Sequence, residues 1–326
     1  MKLTTLCTIL LALFLSSAAF AENPTEGKKK DALEKELVRY QKAVEANPND
    51  MDVLYKYAQT AFELKKYHFA IPAFEQLNTT VGKKSAFLVP LASMYLSSSK
   101  KDKALDYAQE ALTMDVTDAQ ESELLGETLY FLRQYKSAIP YFSQANQSKK
   151  TLDRLADLYT KTSQFNQAAV VFEKMIELDM DNATVYFNYS NVLLKNMQYE
   201  KAIAVLEGAQ LEGFDNSFLR QNIGKSFTAL KNYTEGLKQY AVAKKKGNYF
   251  RTLDMDIAEC QIRAGQFGQA NTTLEALAKA HPQNADIKYL QGMSKFQQGD
   301  VAAADNFFQA AVKINPDLKS SRYTKR

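Results

Sequence analysis

Apolar positions along this chain fall on a helical period, and the pattern itself recurs. Leu54, Tyr57 and Ala61 follow an i, i+3, i+7 spacing, with Phe74 on the next periodic stretch. The segments KKYHFAIPAFEQL, KKDKALDYAQEAL, RQYKSAIPYFSQA, SQFNQAAVVFEKM, MQYEKAIAVLEGA, KNYTEGLKQYAVA, GQFGQANTTLEAL and GDVAAADNFFQAA align as a column. Seven of them carry an aromatic or apolar residue at the start of the second periodic stretch: Tyr67, Tyr135, Phe165, Tyr199, Tyr233, Phe267 and Val301, with Lys101 the exception. Three residues later the side chain is always small: Ala70, Ala104, Ala138, Ala168, Ala202, Gly236, Ala270 and Ala304. The successive steps are 34, 34, 30, 34, 34, 34 and 34 residues.

A second small position lies twelve residues upstream of each: Ala58, Ala92, Gly126, Ala156, Ser190, Gly224, Ala258 and Gly292. Usual Ala, Gly and Ser usage would put a small residue at any one site roughly a quarter of the time. All sixteen sites are small, which chance does not produce. Two small positions per unit let a pair of antiparallel helices approach closely, and the apolar residues around them fill the seam.

This pattern resembles the tetratricopeptide repeat, a helix-turn-helix unit of 34 residues, over residues 31–318. The resemblance implies an all-α fold, a right-handed superhelical solenoid. Full units begin near Met51, Ser85, Ala119, Lys149, Ala183, Ser217, Arg251 and Ala285, after a half unit over 31–49 in which Tyr40, Ala43 and Pro48 are in register. Pro48, Pro282 and Pro316 match the proline that ends the family's second helix. The family's aromatic at the fourth position survives only as Tyr186; Leu54, Leu88 and Leu152 replace it elsewhere, and the last units carry Arg220, Asp254 and Lys288. The 30-residue step, around Asn146 to Lys150, is either a trimmed loop or a break that divides the array near Lys149. Pro72, Pro90 and Pro140 are expected in the first turn of their helices, where a missing N–H goes unnoticed.

The family's first helices line a concave face, and the resemblance carries that face onto particular residues. Units five and six would present Phe187, Asn188, Asn191, Gln221, Asn222 and Lys225 to a protein or peptide partner. Asparagine and glutamine amides donate and accept at once, so they can hold an extended backbone without demanding a sequence. Units three and four would present Glu123, Glu127, Asp153 and Asp157 instead, interrupted by Arg154. The Lys and Asn pattern of the family's carboxylate clamp is missing.

Composition narrows the rest. Lys and Arg total 41 against 37 Asp and Glu in 326 residues, too slight a basic excess for a nucleic-acid binder. Residues 1–21 read as a signal peptide: Lys2, an apolar stretch from Leu3 to Leu15, then Ala19-Phe20-Ala21, with cleavage between Ala21 and Glu22. That stretch is short for a spanning helix, which needs about 20 residues. A linker over 22–30 and a basic tail over 319–326, with Lys319, Arg322, Lys325 and Arg326, complete the chain. Beyond the leader's Cys7, only Cys260 remains, read as a small buried hydrophobe.

No constellation for catalysis, metal or cofactor stands out. His68 and His281 are far apart, and no H-E-x-x-H, P-loop, G-x-S-x-G or paired-cysteine motif occurs. The expectation is a non-enzymatic protein–protein interaction scaffold or adaptor of the cell envelope, exported to a periplasm or secreted, with no stable membrane insertion after cleavage. The alternative is a carbohydrate or peptidoglycan-binding module built on Phe187, Tyr130 and Tyr289. The pattern specifies no oligomeric state.

Overall fold

The computed structural model describes residues 24–248, 250 and 252–318. The expected signal peptide with its Ala21–Glu22 junction, and the basic tail, lie outside the described residues. Within them the fold is an all-α helical repeat solenoid: seventeen helices and, among the described residues, no strand. The chain divides into two compact units, one ending at Gln147 and the other beginning at Ser148.

The first compact unit holds α1 (Pro24–Ala46), α2 (Met51–Glu63), α3 (Tyr67–Thr80), α4 (Ser85–Ser97), α5 (Lys101–Ala111), α6 (Ala119–Phe131) and α7 (Tyr135–Gln144). Each helix packs on the next, and α4 also packs on α6. Helix α1 lays Leu37 into the core of Leu54, Ala58, Phe74 and Leu77. It begins at Pro24, so residues 24–30, expected as a linker, are helical. A proline in the first turn and the charged run behind it suit a helix start.

The second compact unit holds α8 (Lys149–Lys161), α9 (Phe165–Glu177), α10 (Ala183–Lys195), α11 (Tyr199–Leu211), α12 (Ser217–Ala229) and α13 (Tyr233–Lys246). It continues through α14 (Leu253–Arg263), α15 (Phe267–Ala280), α16 (Ala285–Gln297) and α17 (Val301–Ile314). Here α10 packs on α12, α12 on α14 and α14 on α16, so first helices of successive units meet along one face. The division at Gln147 coincides with the 30-residue step. The shortening comes mainly out of α7, which has 10 residues where the other second helices have 11 to 14.

Short polar side chains start the first helices. Asp50, Asp118, Ser148, Asn182, Asn216 and Asn284 each accept from a backbone N–H of the first turn, at 2.9–3.2 Å. The first helices end in a turn that repeats with the sequence. Lys65, Ser99, Arg133, Ser163, Met197, Lys231, Gly265 and Gly299 all have φ between 55° and 85°. The next residue's N–H returns into the helix, as in Lys66 N to Ala61 O (2.8 Å), Gln164 N to Tyr159 O (2.7 Å) and Asn232 N to Phe227 O (2.9 Å). That bond closes a Schellman motif around a left-handed residue. Only two of the eight are glycine.

The small positions are the contact points of the helix pairs. Ala58, Ala92, Ala156, Ser190 and Ala258 are buried, as are their counterparts from Ala70 to Ala304. At Gly224 a Cβ would sit 2.5 Å from the Tyr240 ring, and at Gly292 2.5 Å from the Phe308 ring. No side chain fits there.

Pro72, Pro90 and Pro140 do not sit in first turns. Each is the sixth residue of its helix, α3, α4 and α7, so each deprives the carbonyl four residues back of its donor. Pro72 and Pro140 are exposed, which leaves water to serve His68 and Lys136. Cys260 is buried, its thiol 3.6 Å from Tyr233 O, and burial pushes the thiol pKa up.

Candidate functional site

In the second compact unit, α8 and α10 border a cleft of about 750 Å³ that reaches Lys225 on α12. Its lining includes the charged Asp153, Asp157, Lys195 and Lys225 and the amides of Asn188 and Asn191, with apolar Phe172, Val192 and Leu194. These residues obey the repeat. Asp157, Asn191, Lys225 and Glu259 are equivalent positions of four successive units, and so are Asn188, Asn222 and Asp256. Thr184, Asn188 and Asn191 share one face of α10 at i, i+4, i+7.

The predicted residues do not all play one part. Asn188 is exposed and Asn191 half-buried. Asn222 is only 2% exposed. Its Nδ2 donates to Ser190 Oγ at 2.8 Å and to Asn191 Oδ1 at 3.0 Å, and Ser190 Oγ donates on to Phe187 O at 2.8 Å. Gln221 is fully buried and donates from Nε2 to Asp256 Oδ2 (2.6 Å) and Thr252 Oγ1 (3.1 Å). Gln221 and Asn222 therefore join α12 to its neighbours and have no amide hydrogen left to offer the cleft. The reason is geometric: two successive first helices pack together at these positions, so the amide spans their seam.

The same bond gives Asn191 a direction. With Oδ1 taken by Asn222, its NH₂ is the end left for an incoming acceptor. Lys225 Nζ lies 3.2 Å from Asp256 Oδ2. Burial raises the Asp256 carboxyl above its ordinary range, while Lys225 and Gln221 pull it back. Lys225 and Asp256, together with Glu259 and Arg263, whose guanidinium donates to Glu259 Oε1 at 2.7 Å, flank a smaller recess of about 310 Å³.

Glu123 and Glu127 belong to the first compact unit, Asp153 and Asp157 to the second. Asp157 pairs with Lys161 on its own helix. Burial raises the Asp153 carboxyl even though Lys149 and Arg154 act to lower it. Tyr130 is in the first compact unit, against Tyr135 at 5.8 Å, and Tyr289 packs on Phe308 at 5.5 Å, three repeats from Phe187. Phe187 instead meets Phe250 (5.3 Å) and Phe218 (6.2 Å), which themselves lie 4.5 Å apart. Sequence reasoning missed Phe218, Phe250 and Asp256. Extending the register of Asn188 and Asn222 by one more repeat would have found Asp256.

Among the described residues there is no cluster of His, Cys, Asp or Glu able to hold a metal ion, and no helix long and apolar enough to cross a membrane.

Family models described as tetratricopeptide repeat match residues 159–218 and 256–318. Among curated relatives, a DnaJ homolog subfamily C member 7 homolog of Dictyostelium discoideum is 25% identical over 63% of this chain and 42% of its own length. A BBSome complex member BBS4 homolog of Drosophila melanogaster is 21% identical, over 86% and 54%. The chain thus spans about half the length, or less, of the curated relatives it matches. Among solved structures, YrrB, described as a TPR protein with an unusual peptide-binding site, aligns with a TM-score of 0.40 at 21% identity, covering 56% of this chain and 93% of that one. Yeast Tom70 aligns with a TM-score of 0.40 at 16% identity, over 87% and 82%. With both matched segments inside an array whose helices, small seam positions and left-handed turns keep one register, the chain is a tetratricopeptide repeat protein.

Proposed function

We propose that this protein is a non-enzymatic scaffold of the cell envelope that binds a partner polypeptide along the cleft of α8, α10 and α12. Tetratricopeptide repeats serve as protein–protein interaction scaffolds, and that general role is the starting point. The observation that carries the finer reading is the Asn222–Asn191 bond, which holds one amide in a fixed orientation beside the exposed amide of Asn188. A donor preset toward the cleft and a second amide one helical turn away suit the carbonyls and N–H groups of an extended chain. The leader-like residues 1–21 support export, to a periplasm or to the medium. Fractionation of expressing cells with N-terminal sequencing tests export: a mature chain starting at Glu22 in the exported fraction is expected, and a cytoplasmic chain retaining Met1 overturns it. A photo-crosslinking amino acid at position 188 tests the cleft. It should capture a polypeptide that the same probe at exposed Val170, on α9, does not; equal capture at both positions overturns the site.

A further inference from the structure

Three turns at one end of the first compact unit concentrate positive charge. Each helix there packs on the next through a short link, so directions alternate and the turns after α2, α4 and α6 close the same end of the unit. Residues 63–69 bring Lys65 and Lys66 to this edge, 97–103 bring Lys100, Lys101 and Lys103, and 131–137 bring Arg133 and Lys136. Against these seven cations stand two acids, Glu63 and Asp102. The five equivalent stretches of the second compact unit, from 161–167 to 297–303, carry five cations against three acids. The excess therefore belongs to this edge and is not a property of the repeat.

The fold makes little use of the charge. Lys66 pairs with Glu34 at 3.4 Å, and Lys100 and Lys103 lie over the Tyr95 ring at 5.7 and 5.0 Å. Lys65, Lys101, Arg133 and Lys136 are exposed and have no ion-pair partner among the described residues. Like charges gathered this way repel one another and give the fold nothing in return. Two rings are interleaved with them. Phe69, four residues after Lys65, is 37% exposed, and Phe131, two residues before Arg133, is 56% exposed.

Cations and open phenylalanines on one edge fit a surface that is anionic outside and apolar just beneath, which is the make-up of phospholipid headgroups over acyl chains. Nucleic acid shares the charge, but the slight basic excess of the whole chain and the leader-like residues 1–21 argue against it. Resting on the export reading above, we infer that this edge docks on an anionic phospholipid surface. The cations of the three turns meet lipid phosphates, and Phe69 and Phe131 enter the headgroup boundary. The chain lies on the membrane and does not cross it.

The test is co-sedimentation of vesicles with the full mature chain, in which Lys319→Gln, Arg322→Gln, Lys325→Gln and Arg326→Gln silence the basic tail. Binding is expected to vesicles of phosphatidylcholine and phosphatidylglycerol in equal parts, and it should weaken as salt rises. Phosphatidylcholine alone should not bind; equal binding to both lipids overturns the inference. A basic residue at an anionic surface is worth about fivefold in affinity, so Lys65→Gln, Lys101→Gln and Lys136→Gln together should weaken binding about a hundredfold. Lys42→Gln, Lys231→Gln and Lys279→Gln remove the same charge from exposed positions elsewhere and should bind as the parent does. Equal losses in the two triple variants overturn the assignment to this edge. Phe131→Gln should weaken binding several-fold with the helical circular dichroism unchanged, and no effect overturns the lipid assignment. So does a single-stranded oligonucleotide that binds more tightly than the vesicles and is lost in the edge variant. A chain that binds no vesicle overturns this inference and leaves the export and cleft readings to their own tests.

Discussion

The ring of Tyr240 occupies the space a Cβ on Gly224 would need, with Cε1 only 2.5 Å from that position. Tyr240 is itself fully buried and cannot swing aside. Alanine is the better helix former by about 1 kcal/mol, but forcing a methyl into this seam costs about 1–3 kcal/mol. Gly224→Ala should therefore lower stability in urea unfolding. Combining it with Tyr240→Leu should recover part of the loss relative to the sum of the two single changes, because the ring causes the clash. Simple additivity would show that the seam is not where the cost arises.

Asn222 and Asn188 occupy the same position of consecutive repeats but should differ in what their loss costs. Asn222→Ala leaves Ser190 Oγ and Asn191 Oδ1 without their donor in a buried seam, a loss of about 1–3 kcal/mol. Asn188 is exposed, and Asn188→Ala should change stability by no more than about 0.5 kcal/mol. Parallel chemical denaturation of the two variants checks this; equal effects would remove the distinction between seam and cleft.

The second compact unit should lose stability in acid. Arg220 donates to Asp215 from Nε and Nη2 at 2.7 and 2.9 Å and holds its carboxyl below the usual range, with help from Lys246. Lys201 and the Tyr189 hydroxyl do the same for Glu173. A carboxyl with a depressed folded pKa contributes stability that is complete above its unfolded value and disappears as pH falls through the folded one. The contribution of these two is thus full above the ordinary values of 3.8 and 4.5, declines below them, and is gone only once pH has fallen through the lowered folded values. Asp256, raised by burial, has the opposite sign and favours the fold as pH falls through its raised value. Asp215→Asn should cost about 1 kcal/mol at pH 7, since the pair is partly solvated. The gap from the unaltered chain should close toward pH 3 in melting curves, and a gap independent of pH would contradict the assignment.

The turns between paired helices give a third kind of test. Met197 is 74% exposed with φ 58°, and Gly299 has φ 85° in the equivalent turn. Gly299→Val should destabilise by about 1–2 kcal/mol, because a β-branched residue is strained at positive φ. Met197→Gly relieves that strain and gives back roughly 0.5–1 kcal/mol of it in unfolded-chain entropy, so its thermal midpoint should hold or rise slightly. A clear drop for Met197→Gly would mean that its side chain has a packing role.

What the residue order determines by itself is whatever repeats. Period-3.6 apolar spacing and two small residues per unit are local and recurrent, so the helix starts at Met51, Ser85 or Tyr199 can be seen without any structure. The shortened step between the third and fourth units is equally visible, though only the structure turns it into a division at Gln147. Tertiary packing decided what the pattern cannot encode. Six of eight left-handed turns carry no glycine to announce them, because the helices on either side impose the conformation. Asn188 and Asn222 look alike in sequence, yet one faces the cleft and the other is sealed into the seam by α10 and Ser190. Phe250 joins Phe187 and Phe218 only because the chain after α13 comes back over α12, a contact between residues far apart in order. Periodicity reports which face of a helix is apolar; which polar residue on the other face is spent on a neighbour depends on where that neighbour lies.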